Sequence, residues 1–211
     1  MPRVLHLPLF IAFSAWPALL CAETPPALGV GVFVDFDSAP GSASIQIMKD
    51  EVEKLLRPSG ISLDWRLTKQ NRGTETFPRL VVLQFRGRCR ADLLSQPPED
   101  SATLGEARTL ASTRVAAGRV LPYGEVECDE VRQALSYLDP GAGAIARQTA
   151  LGLALGRVVA HELYHILART TAHAAHGLAK PTESFEDLIS PRETPFQERD
   201  SRAIRQGFRK Q

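Results

Sequence analysis

"VVAHELYHILARTTAHAAHG", residues 158–177, contains His161, His165, His173 and His176. The chain has five histidines, so this stretch leaves only His6, near the N-terminus, outside it. Imidazole is the commonest metal ligand and the usual proton carrier near neutral pH, so this crowding calls for a chemical account. His161 and His165 are four positions apart in an apolar, helix-like run. That spacing puts both rings on one helical face, about 5–6 Å apart at Cβ and within reach of one ion. Glu162 lies beside the first ring, rotated by about 100° around the helix axis. The arrangement is H-E-x-x-H: two zinc ligands, and a carboxylate placed to take a proton from the water that the metal acidifies.

A catalytic zinc takes three protein ligands and keeps a fourth position open. His173 is the candidate third ligand. On a continuous helix it would lie about 12 Å further along the axis than His165, too far to share an ion. The chain must therefore break near Ala168–Thr171 and fold back. Thr170 and Thr171 are poor helix formers, and Gly177 and Pro181 show that the helix is over by then. His176 is reached by the same reversal and is the alternative to His173. Glu183 and Glu186, 18 and 21 residues past His165, are alternatives belonging to a different metallohydrolase geometry.

Upstream of the histidines, the spacing predicts a long helix from about Ala144 to Leu167. Its few polar positions, Arg147, Gln148 and Arg157, predict burial on most sides. "GVGVFVDF" (Gly29–Phe36) reads as a core strand. "SASIQIMKDEVEKLL" places Ile45, Met48, Val52, Leu55 and Leu56 at helical spacing, with a stop at Pro58–Gly60. "ISLDWRL" and "RLVVLQFRG" (Arg79–Gly87) read as further strands, separated by a polar loop. After the loop "SQPPEDSAT", the run "LGEARTLASTRVAAGRVLP" is expected to form edge strands or a hairpin. "CDEVRQALSYL" reads as a helix ended at Asp139–Gly141. The tail is expected to hold a short helix near Ser184–Leu188 and a polar one after Pro195. With no internal repeat and no low-complexity tract, this order indicates one α+β domain.

The N-terminus has a single arginine, Arg3, before an apolar run from Leu7 to Leu20 and then small residues. That is the plan of a secretory signal peptide over residues 1–22, leaving residues 23–211 as the mature domain. The run is shorter than the roughly 20 residues a membrane span needs, so no stable anchor is expected. Without Arg3, 24 basic residues balance 24 acidic ones. The balance gives no electrostatic reason to expect nucleic acid as a partner. Arg86, Arg88 and Arg90 are two apart, which predicts the solvated face of a strand. Losing Cys21 leaves Cys89 and Cys128, an even number in an exported chain, and so predicts a disulfide. It would close a loop of about 40 residues, a constraint of about 4 kcal/mol on the unfolded chain.

The histidine segment resembles the metzincin clan of zinc endopeptidases, whose signature is HExxHxxGxxH followed by a methionine-containing turn. Ala168 stands at the glycine position, the third histidine falls eight rather than six residues after the second, and no methionine follows. The segment is closer to a group of secreted bacterial metzincin-like proteins that run HE-x-x-H, a seven-residue spacer, His, then Gly-Leu-x-Arg/Lys. "HELYH-ILARTTA-H" and "GLAK" (Gly177–Lys180) match that form, and "GRC", "VLPYGEVE" and "VECDEV" resemble the same group. The resemblance implies a metzincin-like (zincin) fold: a twisted mixed sheet packed on an active-site helix, with an edge strand for substrate.

It also implies one catalytic Zn2+ held by His161, His165 and His173, with Glu162 as general base. The expected function is that of a secreted or periplasmic metallopeptidase, monomeric, with a peptide or protein substrate. The competing expectation is a zinc-binding protein with little or no turnover, serving as a binding or scaffold module.

Overall fold

The computed structural model describes residues 28–71, 73–94, 109–182, 184–190 and 195–209. The signal segment 1–22, most of the loop after residue 94, and Glu183 lie outside the described residues. Five strands form one mixed sheet: β1 (Leu28–Phe36), β2 (Ile61–Leu67), β3 (Arg79–Arg86), β4 (Ala111–Ala116) and β5 (Arg119–Glu127). Their spatial order is β2-β1-β3-β5-β4. The pairs β1–β2, β1–β3 and β3–β5 are parallel, whereas β4 runs antiparallel to β5 as the first half of a hairpin. β4 is therefore an edge strand, and its register with β5 slips between Thr113 and Val115. Such an irregularity re-aims side chains on a strand, and Thr113 is one that matters below.

The expected elements are largely present: an α+β domain with a mixed sheet and helices α1 (Ser42–Leu56), α2 (Cys128–Ala134), α3 (Ala144–Ala168), α4 (Phe185–Ile189) and α5 (Glu198–Arg209). Two expectations need correction. Helix α2 stops at Ala134 rather than Leu138, because Leu135, Ser136 and Leu138 close short turns onto Arg132, Gln133 and Leu135 carbonyls. Arg86, Arg88 and Arg90 do not share a strand face. β3 ends at Arg86, Gly87 turns at φ 73°, and the other two lie in the loop beyond. All three are ion-paired, to Asp37 and Glu125, to Asp129, and to Asp92 respectively.

α3 is the axis of the core. From Ala150 to Leu167 all but Leu153 and His161 are buried, as its apolar composition requires. It lies against α1, and the two backbones approach through two glycines one turn apart. A Cβ on Gly152 would sit 2.6 Å from Ile47 Cβ and 2.8 Å from the Ser44 carbonyl oxygen. One on Gly156 would sit 2.8 Å from Glu51 Cβ. Just beyond this seam, Arg157 is 2 % exposed and donates to Glu51, and to the main-chain oxygens of Asp187 and Ser190. A buried guanidinium needs such full satisfaction, since an unpaired one costs several kcal/mol. The pair thus ties α1, α3 and α4 together one turn before His161.

The predicted disulfide joins Cys89 to Cys128, with Cα atoms 5.0 Å apart. It fastens the loop after β3 to the start of α2. Among the described residues no helix is long and apolar enough to cross a membrane.

The glycine seam yields a test. Alanine at position 152 would gain about 1 kcal/mol of helix propensity, but overpacking typically costs about 1–3 kcal/mol. Here the clash is with a main-chain oxygen and a β-carbon, neither of which can swing away, so the upper end applies. Gly152→Ala should therefore lower the urea midpoint, by the equivalent of about 1–2 kcal/mol. An unchanged or raised midpoint would show that the helices are further apart.

Candidate metal centre

α3 ends where the sequence requires it to. Arg169 takes the left-handed conformation, φ 54° and ψ 46°, and its N–H closes the helix onto the His165 and Ile166 carbonyls. The chain reverses through Thr170–Ala172 and delivers His173 back towards the helix. It then makes a tight turn in which the Ala174 N–H donates to the Ala179 carbonyl at 2.7 Å. Leu178 and Ala179 are fully buried in this turn.

Two main-chain carbonyls orient the rings. His161 Nδ1 lies 2.8 Å from the Leu178 oxygen, and His165 Nδ1 lies 2.8 Å from the Thr170 oxygen. A carbonyl can only accept, so each Nδ1 carries the hydrogen and each Nε2 presents a lone pair. Those lone pairs converge: His165 Nε2 is 3.0 Å from His161 Nε2 and 3.2 Å from His173 Nε2. All three ligand atoms lie within 4.8 Å of one another.

Lone pairs this close repel unless a cation sits among them. Burial pushes the His161 and His165 pKa values below the ordinary imidazole value, against the opposing pull of the Leu178 and Thr170 carbonyls. Two nitrogens at about 2.0–2.1 Å from a tetrahedral ion are separated by about 3.3 Å, close to the observed spacing. The three residues fit a metal ion of imidazole preference.

Glu162 is buried beside this cluster, facing the sheet. Thr113 Oγ1, on the edge strand β4, donates to its Oε2 at 2.6 Å. Burial raises the Glu162 pKa above the ordinary carboxylate range, opposed by the Thr113 hydrogen bond and the His165 charge. A cleft of about 260 Å3 connects these groups, with Ser112, Thr113 and Val115 of β4 on one side and the three histidines on the other. The Glu162 carboxylate, three convergent imidazoles and a strand edge that is unpaired among the described residues therefore share one opening.

The candidate residues His161, Glu162, His165 and His173 are brought together. His176 is exposed and does not belong to the cluster, and neither does Glu186 among the described residues. Residue patterns missed Thr113, which lies 49 positions before Glu162. They missed the Leu178 and Thr170 carbonyls too, because a main-chain acceptor leaves no residue-type signal. Arg157 carried one: a lone arginine inside an apolar helix must find a buried acid. Comparisons of the chain with family models, curated proteins and solved structures return no match.

Matched zinc titrations of two variants test the ligand set. His173→Ala should lose zinc affinity by orders of magnitude, whereas His176→Ala should change it less than about tenfold, at the lower edge of outer-sphere losses. The opposite ranking would move the third ligand to His176.

Proposed function

We propose that the chain is a zinc-dependent metallopeptidase, exported with residues 1–22 removed, that hydrolyses peptide bonds in an extended substrate. The observation that carries this reading is the buried carboxylate of Glu162 set beside three convergent imidazoles, under a strand edge that is unpaired among the described residues. A site that only holds a metal for stability is closed and has no use for such a carboxylate. Disulfide Cys89–Cys128 is of the kind that persists in a non-reducing compartment, which supports the export part of the reading.

Zinc bound by His161, His165 and His173 would supply Lewis acidity, both polarising the scissile carbonyl and acidifying a water. The rest is the work of the chain. Glu162 takes the proton of the attacking water on a carboxylate oxygen and then delivers it to the departing amine nitrogen. Its place beside the histidines, lining the same cleft, puts it within reach of both the water and the departing amine. The Thr113 hydroxyl fixes one oxygen, leaving the other to face the cleft. Leu178 and Thr170 hold two rings in the tautomer the metal requires. A peptide added along β4 would satisfy the edge strand's open main-chain groups and lie across the histidines.

Glu162→Gln should retain about one zinc per chain and lose at least about a hundredfold in cleavage of a degenerate peptide library. Equal cleavage by variant and wild type would remove Glu162 from the mechanism. If both hold zinc and neither cleaves any peptide, a zinc-binding module without turnover replaces the peptidase.

A further inference from the structure

A second cavity, of about 480 Å3, lies between the starts of β3 and β5 and the end of α3, and meets the histidine cleft at Val120, which lines both. Its walls include Phe77 and Leu121, and three arginines line it: Arg79, Arg119 and Arg169. Among the described residues no carboxylate lines it. Arg79 is partly committed, since it donates to the Gly207 and Phe208 oxygens at the end of α5. The Arg79 guanidinium is held below its ordinary pKa by burial and then by the charge of Arg169.

The C-terminal carbonyls of α3 and α5 offset part of this charge. Each helix end is worth about half a negative charge, so together they balance about one of the three cations. Arg119 and Arg169 stand beside the apolar wall of Phe77 and Leu121. Arg169 adds a second argument. Its left-handed backbone is the position where glycine is ordinarily found, and a side chain there is strained. The chain carries arginine at that point, with its side chain at the cavity rather than absent.

Resting on the peptidase reading above, we infer that this cavity is the specificity subsite of the enzyme. It takes an acidic side chain of the substrate, on the side of the scissile bond nearest the β4–β5 turn. Arg119 and Arg169 pair with the carboxylate, and the methylene stem of a glutamate lies on the apolar wall. The open edge of β4 ends at Ala116, and its cross-strand partner Arg119 begins β5, so a peptide leaving the end of that edge turns past Arg119 into the cavity. The metal cleft and the arginine cavity thus form one continuous binding track.

The test compares two peptides that differ only by Glu and Gln at the library-defined position. The wild-type, zinc-loaded protein should cleave the Glu peptide at least about tenfold faster in kcat/KM, chiefly through KM, as a charge-assisted contact does. In the double variant Arg119→Gln/Arg169→Gly the ratio should fall to within about twofold, the discrimination going with the charges. Glycine suits the left-handed position, and a ratio measured on one preparation is insensitive to the fraction folded. Charge reversal, Arg119→Glu/Arg169→Glu, should shift the preference to lysine. An absent preference in wild type, or one that survives in the double variant, overturns the inference. If no peptide is cleaved in any arm, the peptidase reading itself fails. The subsite is then decided by fluorescence anisotropy of the same two labelled peptides on zinc-loaded Glu162→Gln. Tighter binding of the Glu peptide by at least about tenfold, lost in the arginine double variant, sustains it, and equal binding overturns it.

Discussion

Arg169 stands in the left-handed conformation at the end of α3, and the chain that leaves it supplies three things at once. It brings His173 back over the helix, offers the Thr170 carbonyl to His165, and leads into the turn whose Leu178 carbonyl holds His161. A helix that continued one more turn would lose all three. The geometry of the metal centre is therefore a property of one chain reversal. The seven-residue spacer between the second and third histidines has the length that this reversal needs.

The reversal is useful only if α3 itself cannot shift. Gly152 and Gly156 let α1 approach to backbone contact, and the buried Arg157–Glu51 pair pins the register of that contact. Arg157 also gathers the Asp187 and Ser190 carbonyls, fixing the chain that follows the turn. On the opposite side, Ile166 lies over Gly124 of β5, and Glu162 meets Thr113 of β4. The imidazoles and the carboxylate are held from two sides by elements far apart in sequence.

Much of this was legible in the sequence, for identifiable reasons. Strands β1, β2 and β3, and helices α1 and α3, follow from apolar runs and periodicity that tertiary contacts only reinforce. The disulfide followed from counting cysteines, and the break after α3 from the distance that His173 had to cover. What was not legible depends on long-range geometry. Thr113 became part of the site through a strand slip, and the ring-orienting groups are main-chain oxygens. The arginines at 86, 88 and 90 have strand-like spacing, but Gly87 at φ 73° ends the strand before the alternation can operate. The glycine seam in "GLALG" (Gly152–Gly156) reads locally as a weakness in a helix, and only the packing of α1 reveals its use.

The account stands on three imidazole nitrogens meeting at one ion. X-ray absorption at the zinc edge on purified, metal-loaded protein measures that coordination without reference to any activity. The proposed zinc centre calls for one zinc per chain with three histidine nitrogens at about 2.0–2.1 Å, and one oxygen ligand completing the shell. A spectrum fitted by two or fewer imidazoles, or protein that takes up no zinc at all, would contradict it.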